Sequence, residues 1–295
     1  MSKVAFLFPG QGSQSVGMGV WLAERFPEVR ALYSQAQQVL GWDLLQACRE
    51  GPDDRLRQTD VAQPALYVTG YAAALALKSS GVTPEAVAGH SIGEYAALAA
   101  AEAFSFTEGL ALVRERGQLM QQAGQTHPGG MMALLGLTPE QATAVCQQAQ
   151  AKGVCAAVNF NSPEQTVIAG EKTALEEAGK LAQAAGAKRV IALNVSGAFH
   201  SPLMKEAADA MRTHILKTTF HPAKVPVAMN VDGRLHTQAL DIQTQLARQL
   251  DHSVQWVQTV RTLGSSGFTQ FIETGAGRVL SGLVRRIDKQ WSEYR

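Results

Sequence analysis

The sequence predicts an α/β protein with a large domain built on a parallel sheet and a smaller subdomain inserted into it. Residues 4–8 form a continuous apolar run ended by Pro-Gly, which is typical of a parallel strand buried on both faces. Residues 85–88 form a second short strand that turns sharply into a helix-forming run. Between residues 127 and 197 the elements follow the order β-α-β-β-α-β, that of a ferredoxin-like unit. We therefore expect a large domain at 1–126 and 198–295 and a small subdomain at 127–197.

The other elements follow from apolar periodicity and from capping residues. In the large domain we expect helices at 21–40, 63–80, 93–101 and 108–123, the last one capped by Thr107. In the small subdomain we expect strands at 131–135, 154–160, 166–169 and 189–195, with helices at 139–151 and 172–185. After it we expect a helix to about Leu216, a strand at 225–230, a helix at 239–250 and a strand at 268–272.

Composition and charge exclude several classes of protein. The formal net charge is +1 with basic and acidic residues interspersed, so neither nucleic acid nor an anionic membrane is an expected partner. No apolar run approaches membrane-spanning length, and the N-terminal run is too short for a secretory signal. Cys48, Cys146 and Cys155 lack metal-like spacing and are expected to be buried thiols in a reducing compartment. These features are typical of a soluble cytoplasmic globular protein.

The segment Gly89-His90-Ser91-Ile92-Gly93 is the strongest indication of chemistry in the chain. The pattern G-x-S-x-G is the nucleophile elbow, in which a strand turns sharply into a helix and exposes a serine at the turn. Glycine on both sides lets neighbouring backbone approach that serine closely. The helix that follows brings free N–H groups and the positive end of its dipole to Ser91, which stabilises an oxyanion. The sequence thus predicts Ser91 as a nucleophile.

A serine nucleophile needs a base, and His200 is the candidate. It directly follows a predicted buried strand and has small and apolar neighbours, whereas the other histidines after Ser91 lie in polar or helical-surface contexts. The C-terminal end of a strand is where an α/β fold places its site. The alternative is a core histidine with satisfied hydrogen bonds. No acidic residue between Ser91 and His200 stands out as a third member, so both a dyad and a triad remain open.

Arg116 is a second anomaly. On a helical wheel of about 100° per residue it falls in the middle of the apolar half of the helix at 108–123. A buried guanidinium is costly unless it is paired. A structural ion pair or a side chain that reaches back to solvent would explain it. The functional alternative is a clamp for a substrate carboxylate, which arginine holds through two parallel hydrogen bonds.

The loop Pro9-Gly10-Gln11-Gly12-Ser13-Gln14 invites a dinucleotide-binding interpretation that its spacing does not support. After Gly10 and Gly12 the third glycine of the motif would fall at Ser15, and no acidic residue ends a second strand at the required distance. We expect instead that the glycines allow this loop to lie against the serine turn. Neither a nucleotide cofactor nor a metal is expected.

Several motifs together resemble one family. They are Pro9-Gly10-Gln11-Gly12-Ser13-Gln14, Gly89-His90-Ser91-Ile92-Gly93-Glu94-Tyr95, Arg114-Glu115-Arg116-Gly117, Asn159-Phe160-Asn161-Ser162-Pro163, Gly197-Ala198-Phe199-His200-Ser201 and Arg248-Gln249-Leu250. In this order they resemble the malonyl-CoA:acyl carrier protein transacylases of fatty acid synthesis and the related polyketide acyltransferases. The resemblance spans about residues 3–288. It implies an α/β-hydrolase-like domain with a ferredoxin-like insert.

The resemblance also implies roles for individual residues. Ser91 matches the acylated nucleophile, His200 the base, and Arg116 the arginine that binds the malonyl carboxylate. The backbone N–H groups of Gln11 and Ile92 match the oxyanion hole.

Two further positions match, with two departures from the family pattern. Gln249 matches the residue whose main-chain carbonyl steadies the histidine, which would explain the missing acid. Phe199 resembles the form associated with malonyl rather than methylmalonyl units, because its ring fills the space of an α-methyl group. Ile92 stands where leucine is commoner, and Ala276 where the family often has proline. Neither departure touches the chemistry.

The expected activity is a ping-pong transfer of malonyl from malonyl-CoA to the phosphopantetheine thiol of an acyl carrier protein, for fatty acid biosynthesis. Malonyl-CoA is then a substrate, no cofactor is required, and a monomer is expected. The alternatives are a trans-acting polyketide acyltransferase, a thioesterase-type serine hydrolase, and a non-catalytic carrier-binding protein descended from such an enzyme. The sequence does not say which carrier or pathway the enzyme serves.

Overall fold

Two β-sheets organise the chain in the computed structural model, which describes residues 3–293. The strands are β1 (Lys3–Phe8), β2 (Ala86–Gly89), β3 (Gly130–Leu135), β4 (Cys155–Ser162), β5 (Gln165–Gly170), β6 (Arg189–Ala192), β7 (Val227–Ala228), β8 (Leu235–His236), β9 (Phe268–Glu273) and β10 (Ser292–Glu293).

Helices connect and cover these strands. They are α1 (Val20–Arg25), α2 (Pro27–Leu40), α3 (Leu44–Glu50), α4 (Asp53–Arg57), α5 (Thr59–Ser79), α6 (Gly93–Ala100), α7 (Phe106–Thr126), α8 (Pro139–Ala149), α9 (Lys172–Ala184), α10 (Lys205–Lys217), α11 (Ala239–Leu246), α12 (Trp256–Ser265) and α13 (Val279–Ile287).

The first sheet has six strands in the order β10-β9-β1-β2-β7-β8, parallel except for the pair β7–β8. Its central strand β1 is buried on both faces, as its apolar run predicts. Phe6 and Phe8 join the core formed with α2, α5, α6 and α7, whereas Ala5 and Leu7 join the core formed with α12 and α13. The nucleophile elbow and the loop after β1 therefore lie at the same C-terminal edge of a sheet that is sandwiched between helices.

The second sheet is smaller and antiparallel, with the strand order β4-β5-β3-β6. Two helices, α8 and α9, share a separate apolar core with Leu134 of β3 and Ile168 of β5. Along the chain the elements run β3-α8-β4-β5-α9-β6. The predicted combination of a parallel sheet with a second, smaller sheet is confirmed.

Two local predictions in the first half of the chain are wrong. The segment 21–40 is not one helix, because Phe26 is extended and Pro27 begins a new helix at its first position. Proline lacks the N–H that a continuous helix needs and disfavours helical geometry in the residue before it. Helix α7 is capped by Ser105 rather than Thr107, and Ser105 and Glu108 form a reciprocal capping box.

The second half differs from prediction at several boundaries. The helix expected at 239–250 ends at Leu246, and residues 249–251 form a separate 3₁₀ turn. The strand expected at 189–195 ends at Ala192, and the strand expected at 225–230 is limited to Val227 and Ala228. Helices α12 and α13 were not predicted, and neither were the short α3 and α4 in the first half of the chain.

Candidate active site

Ser91 occupies the turn between β2 and α6 in a strained backbone conformation, with φ of 52°. A non-glycine residue with positive φ is uncommon and is typical of functional turns. The flanking glycines have no room for a side chain. A Cβ on Gly89 would lie 2.0 Å from the carbonyl carbon of Gly93, and a Cβ on Gly93 would lie 2.0 Å from the backbone oxygen of Phe8. This contact packs α6 directly against β1 and fixes where Ser91 lies.

The side chain of Asn230, just after β7, forms hydrogen bonds with the backbone of the nucleophile elbow. Its Oδ1 accepts a hydrogen bond from the N–H of Ser91 at 2.8 Å, and its Nδ2 donates to the carbonyl oxygen of Gly89 at 2.6 Å. The side chain is completely buried. We did not predict this residue, although it is a polar residue at the C-terminal end of a strand expected at 225–230.

His200 lies beside Ser91. Its Nε2 is 2.7 Å from Ser91 Oγ, and its Nδ1 is 2.9 Å from the carbonyl oxygen of Gln249 and 3.1 Å from that of His252. A carbonyl oxygen only accepts, so Nδ1 carries the proton and Nε2 is left to accept from the Ser91 hydroxyl. Burial, with Arg116 as the next cause, lowers the pKa of His200 to about 3. The imidazole is therefore neutral at physiological pH.

Arg116 is completely buried, as its position on the wheel predicts. Its Nη1 donates to Gln63 Oε1 at 2.7 Å, and its Nη2 donates to Ser91 Oγ and to Gln249 Oε1, both at 3.1 Å. The guanidinium lies over the ring of Tyr95, 5.5 Å from its centroid. Among the side chains that the structure describes, no carboxylate lies within 4.0 Å of it. Arg116 is thus hydrogen-bonded but not ion-paired, so the structural ion pair considered from the sequence is not formed.

The loop after β1 lies against the elbow. A Cβ on Gly10 would lie 2.7 Å from the carbonyl oxygen of His90, so this approach requires glycine. Within the described chain, the backbone N–H groups of Gln11 and Ile92 donate to no protein acceptor, whereas that of Ser91 is taken by Asn230. Two N–H groups near Ser91 are therefore available to another acceptor.

Gln249 connects several of these groups at once. Its main-chain oxygen faces His200, its Oε1 accepts from Arg116, and its Nε2 donates to the carbonyl oxygen of Ser91 at 2.8 Å and to Glu94 Oε2 at 2.6 Å. The resemblance pointed to the main-chain oxygen alone. The side-chain contacts were not predicted.

Comparison with known proteins identifies the family. The acyl transferase domain family matches residues 5–290. The chain belongs to the acyl transferase family. The family predicted from the motifs is confirmed, and the protein is an acyltransferase.

Individual relatives match this acyl transferase along almost its whole length. The malonyl CoA-acyl carrier protein transacylase of Salmonella typhimurium is 42% identical over 288 residues, which cover 97% of this chain and 93% of that protein. A polyketide biosynthesis malonyl CoA-acyl carrier protein transacylase of Bacillus subtilis is 41% identical and covers 97% of each chain. A solved structure of a malonyl-transacylase in complex with a type II polyketide acyl-carrier protein superposes with a TM-score of 0.95 at 41% identity, covering 99% of this chain and 95% of that one.

A hydrogen bond joins the two sheets of the acyl transferase at the site. His90 Nε2 lies 2.8 Å from Asn161 Oδ1, which β4 of the smaller sheet carries. His90 also packs edge-on against Trp256, with ring centroids 5.4 Å apart. The motif residue Asn161 thus ties the second sheet to the residue next to Ser91.

Phe199 precedes His200 and is buried, with its ring against the backbone of Gly197. Its effect on the choice of acyl group stays a prediction. The three cysteines are buried free thiols, as expected. No described helix is long and apolar enough to cross a membrane. Across residues 3–293 no cluster of three or more His, Cys, Asp or Glu side chains is arranged to hold a metal.

Proposed function

We propose that this acyl transferase moves the malonyl group of malonyl-CoA to the phosphopantetheine thiol of an acyl carrier protein through a malonyl ester on Ser91. The observation that carries the proposal is that Ser91 Oγ lies within hydrogen-bond distance of both the neutral His200 and the cationic Arg116. The first contact supports activation of a nucleophile, and the second supports recognition of an acid group next to the bond that reacts. The relatives named as malonyl transacylases support the same acyl group.

In the first half-reaction His200 Nε2 takes the proton of Ser91 as Oγ bonds to the thioester carbon. The free N–H groups of Gln11 and Ile92 stabilise the negative oxygen of the tetrahedral intermediate. The intermediate collapses with cleavage of the C–S bond, and His200 returns the proton to the departing thiolate of coenzyme A.

In the second half-reaction the same groups act on the carrier. His200 takes the proton of the phosphopantetheine thiol, the sulfur attacks the serine ester, and the proton returns to Ser91 Oγ as the C–O bond breaks. Because burial keeps His200 neutral, the lone pair of its Nε2 is unprotonated at the start of each half-reaction.

Arg116 is proposed to bind the malonyl carboxylate. One methylene separates that carboxylate from the carbonyl carbon bonded to Oγ, so it lies within reach of the guanidinium that contacts Oγ. The absence of an ion pair to Arg116 among the described side chains supports this role, because a carboxylate from the substrate then supplies the missing counter-charge. Phe199, next to His200, is proposed to exclude an α-methyl group.

We further propose an α/β-hydrolase-like domain, formed by 1–126 and 198–295, with a ferredoxin-like subdomain at 127–197. The strand order β4-β5-β3-β6 and the chain order β3-α8-β4-β5-α9-β6 support the second assignment. We also propose that the protein is a cytoplasmic monomer. It requires neither cofactor nor metal and binds neither nucleic acid nor membrane. Full activity in the presence of a chelator is the test for metal.

The carrier can belong to fatty acid or polyketide synthesis. The fatty acid pathway is our first proposal. The specific observation that favours the alternative is the polyketide relative, which is 41% identical to this chain over 97% of the length of each. Transfer rates to a holo carrier of each type, compared at equal concentration, distinguish the two.

The test of the acyl-enzyme uses intact-protein mass after rapid mixing with malonyl-CoA. Wild type should gain one malonyl group on the peptide that contains Ser91, and Ser91→Ala should gain none. Addition of holo carrier should then move the malonyl group to the carrier, whereas apo carrier should leave the adduct in place. An adduct in Ser91→Ala would contradict the nucleophile, and release of free malonate in place of malonyl-carrier would indicate a thioesterase.

A further inference from the structure

Glu94 is the one carboxylate that is fully buried among the side chains described at residues 3–291. It lies in the first turn of α6, three residues after Ser91, and the reaction proposed above assigns it no part. Burial raises the pKa of Glu94 to about 8, although its hydrogen-bond donors and Arg116 act in the opposite direction, so the ionised form prevails above that pH. A buried acid that contacts no substrate group requires another explanation.

The two carboxylate oxygens of Glu94 contact two residues that both hold Ser91. Oε1 accepts from the backbone N–H of Asn230 at 2.5 Å, and Oε2 accepts from Gln249 Nε2 at 2.6 Å. Asn230 in turn accepts the N–H of Ser91, and Gln249 donates to the carbonyl oxygen of Ser91. Glu94 is therefore linked through one residue, Asn230, to the backbone N–H of Ser91, and through one residue, Gln249, to its carbonyl oxygen.

The amide of Gln249 can face two ways, and only one is compatible with its neighbours. Its NH₂ group faces two acceptors, Glu94 and the carbonyl oxygen of Ser91, while its oxygen faces the Nη2 donor of Arg116. When Glu94 is ionised, both of its oxygens only accept, and the reversed amide would then place oxygen against oxygen at Glu94 and donor against donor at Arg116.

We propose that Glu94 is a positioning residue for malonyl transfer, which sets the orientation of the Gln249 amide and through it the position of the Arg116 guanidinium. This inference rests on the proposed function, since it concerns the residue proposed to bind the malonyl carboxylate. Glu94 touches neither substrate nor Ser91 Oγ and acts only through its neighbours.

Glu94→Gln tests the inference because glutamine has the shape of the ionised glutamate but presents an NH₂ donor where one carboxylate oxygen accepts. If the oxygen of the new amide faces the N–H of Asn230, its NH₂ meets the NH₂ of Gln249, and Gln249 must reverse. The reversed Gln249 then presents NH₂ to Arg116 and displaces the guanidinium. If the oxygen of the new amide instead faces Gln249, its NH₂ meets a backbone N–H that cannot turn.

Loss of the charge alone has the opposite effect on selectivity. Without the negative charge of Glu94, Arg116 would attract a malonyl carboxylate more strongly. A fall in the preference for malonyl therefore cannot come from charge removal and reports the displacement of Arg116.

The experiment measures acylation of the full-length protein by malonyl-CoA and by acetyl-CoA, by intact-protein mass, as the ratio of the two rate constants at about pH 9, where Glu94 is ionised. We expect Glu94→Gln to lower the malonyl-to-acetyl ratio by about tenfold, the scale of one lost charged hydrogen bond. The matched control is Glu273→Gln. Glu273 likewise accepts backbone N–H groups, at Leu280 and Ser281, but contacts none of the residues around Ser91. It should lower thermal stability and leave the ratio unchanged.

An unchanged or increased ratio in folded Glu94→Gln overturns the inference. If Glu94→Gln does not fold, Glu94→Asp keeps the charge but is too short to reach both Asn230 and Gln249, and its ratio must fall as well. A ratio equal to that of wild type in folded Glu94→Asp overturns the inference in that case. Failure of wild type to accept malonyl would instead contradict the proposed function itself.

Discussion

Arg116 Nη2 lies 3.1 Å from Ser91 Oγ, on the same oxygen that His200 Nε2 approaches to 2.7 Å. The serine oxygen accepts from the guanidinium while its hydroxyl donates to the imidazole. The cation at this distance disfavours a second positive charge on His200, so it helps to keep the imidazole neutral. The residue proposed to select the acyl group thus also tunes the residue proposed to activate the nucleophile.

Arg116→Ala should remove most of the preference of acylation for malonyl over acetyl. Malonyl acylation should fall by about 10²-fold or more, because a desolvated charge-assisted contact is lost. Acetyl has no carboxylate, so in wild type its reaction leaves the buried guanidinium without a counter-charge. Because the mutant removes that guanidinium, acetyl acylation should hold steady or rise. The measurement is kcat/KM for both thioesters.

Arg114→Ala is the matched control for that experiment. Arg114 is a half-buried arginine on the same helix that bonds Glu115 and the carbonyl oxygen of Val39, away from Ser91. It should leave the malonyl preference intact. Equal loss of both activities in a folded Arg116→Ala protein would mean that Arg116 is structural and that the carboxylate binds elsewhere.

His200→Ala should slow acylation of Ser91 by about 10²-fold or more, the usual scale for loss of a general base. Its contact with Ser91 Oγ is the physical reason. Rapid-quench mass measurement gives the rate constant directly. His127→Ala, which removes a histidine near Glu206 on the surface, should acylate normally. Normal acylation in His200→Ala would assign the base to another group.

The pH dependence of acylation should lack the acid limb of an ordinary histidine. With the pKa of His200 lowered to about 3, the imidazole keeps its lone pair down to about pH 5. The rate constant for acylation of wild type by acetyl-CoA, which does not use Arg116, should therefore vary little from about pH 7.5 to about pH 5. A decline centred near the ordinary histidine pKa of about 6.5 would contradict the buried, neutral state of His200.

The lowered pKa of His200 also makes the free energy of unfolding depend on pH. In the unfolded chain His200 takes up a proton below about pH 6.5, whereas in the folded protein it resists protonation until about pH 3. The unfolded state binds more protons in this window, so the contribution of His200 to the free energy of unfolding falls as pH drops from about 6.5 to about 3. Urea unfolding should show a smaller loss between about pH 7 and about pH 5 in His200→Gln than in wild type.

The sequence predicted those parts of the site that depend on local patterns. The elbow at Ser91 has a spacing that strand-turn-helix geometry requires. The buried strand expected directly before His200 is wrong, because β6 ends at Ala192 and is half exposed, so His200 was found through its small and apolar neighbours alone. Arg116 breaks the apolar face of an amphipathic helix, so periodicity alone predicts its burial. In each case the signal lies within a few residues.

The buried hydrogen-bond network could not be predicted in the same way. All eight residues of α6 are buried, so the helix has no polar face against which Glu94 would stand out, and an acid in the first turn is also a common solvent-exposed feature. Asn230 is 139 residues from Ser91 along the chain and follows a strand of only two residues. Such contacts depend on sheet order, which periodicity does not specify.

Helix α12 was missed for a different reason. It contains β-branched residues and ends near glycine, so its intrinsic helix propensity is low. Its buried face, with Trp256, Val260 and Leu263, packs against the core shared with Leu7 of β1. Tertiary burial therefore outweighs local preference there.

Gly93→Ala should destabilise the whole fold, although it adds one methyl group. The new Cβ would lie 2.0 Å from the backbone oxygen of Phe8, so α6 must move away from β1 and carry Ser91 with it. Overpacking against backbone that cannot yield should cost at least about 3 kcal/mol of the free energy of unfolding.

Gly282→Ala is the matched control, because this glycine lies inside α13 with no atom within 4 Å of a new Cβ. There alanine should stabilise the helix by up to about 1 kcal/mol. Urea unfolding of both variants measures the contrast, and a Gly93→Ala protein as stable as wild type would mean that α6 does not approach β1 this closely.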